Sequence, residues 1–387
     1  MAMTIYSPFV YDRYVTDRNF IGRKTDCNTL RNLLAGKEDT VIYEPPKSGT
    51  TSVIQQTFLD MRIAGQQFVV GETGMFNVRD RNRFLLKFGS AVLRAVASSP
   101  DEYADLISRH LGGTHFIFDR QRFADFEEVI SLNWDTGFDD MTGMLELPEK
   151  IAMERKTQIF MIIEDFQDIM MIPGYEEIFK AMEQVLAGKD RNREFSCTFI
   201  ITGSRVNAMK YIFEEKKYFY LLVEHLPLQQ IDDKEIVEHI VKGFLVSGKV
   251  IERELAAGAT RLFRSDIWYL NHFFSICDSL SKGYMNEGVL MDALRSIISI
   301  HEAHFHAITN NLTDHQLSLL KAVLDGETRF SATDVIEKYR LNSSANVRRV
   351  KDALKKKEIV TFNGKDEPVI LDPLYEYWLR NHYFKNY

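Results

Sequence analysis

The chain has 387 residues, more than one ordinary core holds, so its length implies two or three domains. Hydrophobic residues at 45% and charged residues at 27% give a globular composition, and a formal net charge of −7 excludes a chain built wholesale to bind polyanions. Cys27, Cys197 and Cys277 are widely separated, which suits a reducing cytoplasm and offers no zinc motif. The N-terminus lacks a signal-peptide pattern, and no uncharged apolar run approaches the roughly 18 residues of a membrane span. The expectation is a soluble, cytoplasmic protein with no membrane partner.

Residues 1–37 read as an N-terminal entry segment packing on the core: Leu30, Leu33 and Leu34 fall at helical spacing and the pattern stops near Gly36. A strand at 40–43 enters a Pro/Ser/Gly turn, and a helix leaves it from about 50 to 63. Q-F-V-V-G-E at 67–72 is a second buried strand. Residues 80–155 read as mostly helical, punctuated by Gly112, Gly113 and Pro148. Q-I-F-M-I-I-E-D-F at 158–166 is a continuous apolar run closed by two acids, as a central parallel strand is. A helix at 175–188 stops at Gly188, F-S-C-T-F-I-I-T-G-S at 195–204 is the next strand, and 220–228 reads as the last. Strands alternating with helices predict an α/β fold, a doubly wound parallel sheet over 38–229. Residues 230–310 turn wholly helical, a lid-like bundle in which Trp268, Tyr269, Phe273 and Phe274 read as core.

Residues 44–52, E-P-P-K-S-G-T-T-S, have the layout of a phosphate-binding loop, G-x-x-x-x-G-K-[ST]. Such a loop works through backbone amides at a helix N-terminus, which Gly49, Thr50, Thr51 and Ser52 can supply. Thr51 stands at the hydroxyl position that binds Mg²⁺. Glu44, however, replaces the first glycine, Thr50 replaces the lysine, and Lys47 lies three residues early. A carboxylate at the mouth of an anion site is unfavourable unless it points away. Glu164 and Asp165 end their strand as Walker-B acids do, in reversed order, Glu164 on the metal side and Asp165 polarising water. T-G-S-R at 202–205 offers hydroxyls where a γ-phosphate sensor sits. The plain alternative is an ordinary strand–helix turn with solvated acids at strand ends.

Residues 311–387 form a third unit. A helix at 312–324 is capped by Thr313 or Asp314, a short one covers 331–339, and a third covers 343–357 from Ser343 or Ser344. E-I-V-T-F, a turn and P-V-I-L complete a winged helix–turn–helix. Its third helix carries Arg348, Arg349, Lys351, Lys355, Lys356 and Lys357. That charge fits a DNA major groove, and equally complements the helix dipole of a protein-packing module. His301, His304 and His306 read as a polar stripe rather than a metal site.

F-I-G-R-K at 20–24, the E-P-P-K-S-G-T-T-S loop, I-I-E-D-F-Q at 162–167, F-I-I-T-G-S at 199–204, L-P-L at 226–228 and L-D-P-L-Y-E-Y-W-L-R at 371–380 fall in one order. Over nearly the whole chain that order resembles the archaeal-type ATPases, in the signal-transducing (STAND) branch of the AAA+ P-loop fold. The resemblance implies an ATP-driven switch taking ATP or ADP with Mg²⁺. It implies a phosphate loop of Pro46, Lys47, Ser48, Gly49, Thr50, Thr51 and Ser52, with Gly22 and Arg23 on the adenine side. Glu164 and Asp165 match the Walker-B acids, with Mg²⁺ held by Thr51 and, through water, Glu164; Ser204 or Thr202 matches the sensor. Arg191, Arg193 and Arg205 are candidate fingers, and Arg264 is a candidate lid residue where relatives carry a glycine–proline turn.

The departures are Thr50, which removes a cation from the β/γ-phosphates, and the reversed acid pair, which shifts the base by one methylene. The expectation is a nucleotide-binding switch with weak or lost hydrolysis, with a protein partner or DNA on the winged helix. The alternatives are a non-hydrolysing pseudo-ATPase scaffold and a DNA-binding winged-helix regulator.

Overall fold

The computed structural model describes residues 8–123 and 128–386. Residues 1–7 of the entry segment, 124–127 of the stretch read as helical, and Tyr387 lie outside the described residues. The chain forms two compact units: one holds 24–44 and 57–228, the other the residues up to 23, 45–56 and 229–387.

The first unit contains α1 (Lys24–Ala35) and β1 (Thr40–Tyr43); the chain then leaves it and re-enters within α2 (Thr50–Ile63). There follow β2 (Phe68–Gly74), α3 (Arg81–Val96), α4 (Pro100–Leu111), β3 (Phe116–Phe118), β4 (Ile130–Leu132), α5 (Phe138–Arg155), β5 (Gln158–Glu164), α6 (Tyr175–Ala187), β6 (Cys197–Gly203), α7 (Val206–Lys210) and β7 (Glu224–His225). The sheet runs β2-β5-β6-β1-β7, parallel throughout. Ile159–Ile163 of β5 and all of β6 are buried, which is why both read as unbroken apolar runs. In register, Tyr43 faces Gly203 and Gly74 faces Glu164, so the polar strand ends share one edge of the sheet. Ligands of open parallel sheets bind outside that carboxyl edge.

Three details of this unit differ from the sequence reading, and in the second unit the stretch read as wholly helical also contains a short parallel strand pair at 250–251 and 284–285. An antiparallel pair, β3 with β4, interrupts the stretch read as helical. Pro148 lies inside α5 instead of ending a helix, and it is buried, as are Leu147, Ile151 and Ala152 of the same helix. The last strand keeps only two residues, joined to β1 by Glu224 N–H donating to the Asp39 carbonyl and Leu226 N–H to that of Val41.

In the second unit, the helices read as a lid are α8 (Asp233–Val246), α9 (Arg253–Leu262), α10 (Ile267–Leu280) and α11 (Glu287–Asn310), with a small parallel pair, β8 (Val250–Ile251) and β9 (Tyr284–Met285), set between them. Next come α12 (Asp314–Leu324), α13 (Thr333–Lys338), α14 (Ser344–Lys356), the hairpin β10 (Val360–Phe362) and β11 (Pro368–Ile370), and α15 (Pro373–Trp378). Thr313 caps α12 in a reciprocal capping box with Gln316, and Ser343 caps α14. Lid and winged helix share one hydrophobic core: Phe305 of α11 packs on Tyr375 and Trp378, and the Thr309 hydroxyl bonds that of Tyr375 at 2.9 Å. Entry residues join it, with Phe9 against Phe244 and Phe274 and Tyr11 stacked on His272 at 4.2 Å.

Candidate functional site

The predicted residues fall into two groups, one in each unit. Gly22, Arg23 and the loop from Pro46 to Ser52 lie with the lid helices; Glu164, Asp165 and Ser204 lie in the sheet unit.

In the loop, Val53 N–H donates to the Gly49 carbonyl, making Gly49 the residue that opens α2. Gly49 has φ +93°, a conformation costly for residues with a Cβ. The amides of Thr50, Thr51 and Ser52 form the first turn, where no intrahelical acceptor exists. The loop is tightened by Ser48, whose N–H and Oγ both donate to the Pro45 carbonyl. The entry segment runs along it: Arg23 Nη2 donates to the Ser48 carbonyl (2.9 Å), Val15 N–H to Ser52 Oγ (3.1 Å) and Asp17 N–H to Gln56 Oε1 (2.6 Å).

Lys47 does not lie along the loop. At φ +70° it projects onto the lid, with Nζ 3.4 Å from the centre of the Trp268 ring. Burial lowers its pKa, opposed by the charges of Asp372 and Asp266. The cavity bounded by Lys47, Ser48, Gly49, Ser52, Arg23 and Trp268 holds about 70 Å³, room for a few waters, against roughly 300 Å³ or more for a small-molecule pocket. The donor set matches a phosphate in chemistry; the space beside it is taken by the lysine and the indole. Sequence reasoning missed Trp268 and Tyr11 as site residues, because they stand far from the loop in the chain.

At the carboxyl edge of the sheet, Glu164 hydrogen-bonds Glu72 of β2. Burial, then the charges of Glu72 and Asp165, push the Glu164 carboxyl up to about 7. Asp165 has φ +51° and opens the tight turn Phe166–Met171. Its Oδ1 accepts from Ser204 Oγ at 3.1 Å and Gln167 Nε2 at 3.3 Å, so the predicted acid and the predicted sensor hydroxyl are in direct contact. Thr202 is buried within β6, which leaves Ser204 as the hydroxyl at the strand end. Asp168 lies 3.7 Å from Arg205; burial and Asp165 raise its pKa. Among the described residues no group of three His, Cys, Asp or Glu is placed to hold a metal. Glu44 accepts from Leu228 N–H at 2.9 Å, which engages its carboxylate at the sheet edge. Glu72 was not singled out in the sequence, although as a lone acid in an apolar strand it was visible.

Apart from Arg205, the candidate arginines are engaged elsewhere. Arg191 pairs with Glu38 at 2.6 Å, and Arg193 lies near Asp190 and Glu149. Arg264, at φ +50°, bonds Glu376 (2.9 Å) and the Ile370 carbonyl (2.7 Å), tying the α9–α10 turn to the winged helix. His301 packs edge-on to Trp268 and Tyr269 and stacks on Phe305, while His306 meets Trp378. On α14, Lys351 pairs with Asp366 of the wing at 2.7 Å and Lys357 donates to the Asn311 carbonyl; Arg348, Arg349 and Lys356 are exposed. Among the described residues no helix is long and apolar enough to cross a membrane.

Residues 303–381 match a family described as a probable winged helix domain. No curated protein matches the chain in sequence. Among solved structures, the Walker-type ATPase of Pyrococcus abyssi is similar with a TM-score of 0.66 at 12% identity, over 96% of this chain and 99% of that one. The Aeropyrum pernix ORC2 protein, solved as ADPNP–ADP complexes, is similar with a TM-score of 0.57 at 13% identity, over 92% of this chain and 93% of that one. At such identities the likeness is one of fold. The architecture is that of the P-loop ATPases followed by a winged helix, as the order of sequence motifs implied.

Proposed function

We propose that this chain, built on the fold of the Walker-type ATPases, is an ATP- or ADP-binding switch protein that hydrolyses ATP weakly or not at all. The observation that carries the reading is the loop: Gly49 opens a helix whose first amides have no intrahelical acceptor and would cradle an anion, while Thr50 stands in the lysine's place. A nucleotide would supply phosphate charge to the amides of Thr50, Thr51 and Ser52, with Arg23 and Gly22 holding the adjoining segment. The absent cation has a known scale: losing one group that neutralises transition-state charge costs about 3–4 kcal/mol, or 10²–10³ in rate. Mg²⁺ would take the Thr51 hydroxyl. A Glu164 carboxyl pushed up to about 7 is a poor anchor for the metal's water shell. Asp165, bonded to Ser204, would be the remaining water-polarising acid.

The second reading, a pseudo-ATPase scaffold that binds no nucleotide, is favoured by the cavity of about 70 Å³ beside Lys47. The winged helix is the output surface in either case, and its exposed Arg348, Arg349 and Lys356 suit an acidic protein face or DNA. Thermal unfolding of the full chain with ADP or ATP, with and without Mg²⁺, separates the two readings. Binding at a hundred times Kd stabilises by about 2.7 kcal/mol, so a clear rise in Tm supports the switch, and no rise at millimolar nucleotide supports the scaffold. A gel shift on random duplex at two salt concentrations tests the DNA partner.

A further inference from the structure

Lys47 is the sole cation between Glu44 and Gln56, so any phosphate held by this loop has no other lysine or arginine of its own segment to meet. Its ammonium rests on an aromatic face that the fold has fixed in place. Trp268 Nε1 donates to the Tyr11 carbonyl at 2.6 Å, Tyr11 stacks on His272, and His301 stands edge-on to the indole at 5.9 Å. Burial, His301 and Lys47 hold His272 down to about 4, so this ring adds no positive charge at neutral pH. Two carboxylates act on the ammonium. Asp266 is the N-cap of α10 and Asp372 the N-cap of α15, the latter also accepting from the Tyr269 hydroxyl at 2.8 Å. The lysine therefore lies in the field of a lid helix and a winged-helix helix together.

We propose that Lys47 is the phosphate-binding cation of this loop and that the lid stores it on Trp268, so that nucleotide enters only when the lysine leaves the ring. The inference rests on the nucleotide-binding reading above and names its regulation. In the stored position the lysine both withholds its charge from the loop amides and fills the space beside Gly49. A phosphate offers a full negative charge where the indole offers only a quadrupole, so a bound nucleotide draws the ammonium off the ring. Departure of Lys47 removes a cation from beside Asp266 and Asp372, which is how occupancy of the loop reaches α10 and α15. A four-carbon stem with free rotation serves both positions without rebuilding the backbone.

The test compares full-length wild type, Lys47→Met, Trp268→Leu and the double variant by two readouts. In thermal unfolding without nucleotide, the two single losses in Tm exceed the loss in the double variant, because each removes the same contact; additive losses overturn the cage. In calorimetric titration with ADP, Trp268→Leu binds roughly tenfold tighter than wild type, the gain when a closed state populated nine parts in ten is removed. The double variant loses that gain. Unchanged affinity in Trp268→Leu overturns storage, and equal affinity in Trp268→Leu and the double variant overturns Lys47 as the phosphate cation. Trp268→Phe, which keeps packing with a weaker ring face, replaces Trp268→Leu should the latter not fold. If none of these proteins nor Thr50→Lys binds ADP, the nucleotide reading itself fails and the phosphate role of Lys47 falls with it, whereas the Tm cycle still judges the cage.

Discussion

Glu164 and Glu72, on neighbouring parallel strands, form a hydrogen-bonded carboxyl pair in which Glu164 titrates near 7. Desolvation is the first cause and the Glu72 charge the second, so Glu164 holds a proton that an isolated glutamate would have lost. A folded-state pKa raised above 4.5 contributes stability that is fully present below 4.5 and is lost as pH rises through about 7. Glu72→Gln removes the like charge and lowers the Glu164 pKa, leaving the desolvation contribution. The expected outcome is a flatter pH dependence of the urea midpoint between pH 4.5 and 7 in the variant. Identical pH courses in the two proteins would show that the Glu72 charge does not act on Glu164.

Hydrolysis is the second quantity on which the proposed function makes a prediction. With Thr50 in the lysine position, the first turn of α2 carries no cation, and Lys47 lies three residues earlier in the loop. Thr50→Lys should raise steady-state ATP turnover at least tenfold, within a ceiling of roughly 10²–10³ set by comparable transition-state donors. Brisk and equal turnover in wild type and variant would overturn the proposal that Thr50 limits hydrolysis.

Gly22 is held at φ +61°, and a Cβ there would lie 2.7 Å from Ile231 Cγ2 and 3.0 Å from Glu235 Oε2. Its neighbour Arg23 carries the hydrogen bond to Ser48, so strain at Gly22 is passed to the loop. Gly22→Ala should destabilise the protein by about 1–3 kcal/mol through backbone strain and the collision with Ile231. Chemical denaturation measures this directly, and a loss below a few tenths of a kcal/mol would mean that the backbone relaxes.

The sequence made some of this legible and hid the rest for physical reasons. β5 and β6 declared themselves because burial on both faces demands an unbroken apolar run, and their polar ends followed from the same runs. The hairpin of β3 and β4 did not, since three-residue strands such as F-I-F and I-S-L carry no period long enough to separate from helix. Pro148 misled because a proline reads as punctuation wherever tertiary packing is unknown. The loop could be read as a phosphate cradle from Gly49 and the following hydroxyls. The placement of Lys47 could not, because its partner ring arrives from α10 and is oriented by Tyr11 of the entry segment. Long-range contacts of single side chains leave no periodic trace.

Asp39 and Lys189 supply the last prediction. Both are buried, with side-chain exposures of 2% and 8%, and they meet at 2.6 Å where β1 begins. Asp39 Oδ1 also accepts from Phe199 N–H at 2.7 Å, and Lys189 Nζ also donates to the Cys197 carbonyl at 2.9 Å, so the pair stitches β1 to β6 at the edge of the sheet opposite the strands' carboxyl ends. Burial pushes the Asp39 carboxyl up, while Lys189 and the Phe199 amide oppose it. Removing one member leaves the other buried and uncompensated, a larger loss than the net worth of the pair. Asp39→Ala should therefore cost about 3–5 kcal/mol, read as a lower denaturant midpoint at unchanged slope. Asp39→Asn keeps an acceptor for Phe199 but not the charge, and should fall between the two. If alanine and asparagine cost the same, the amide bond to Phe199 contributes nothing and the charge alone holds the strands at that end.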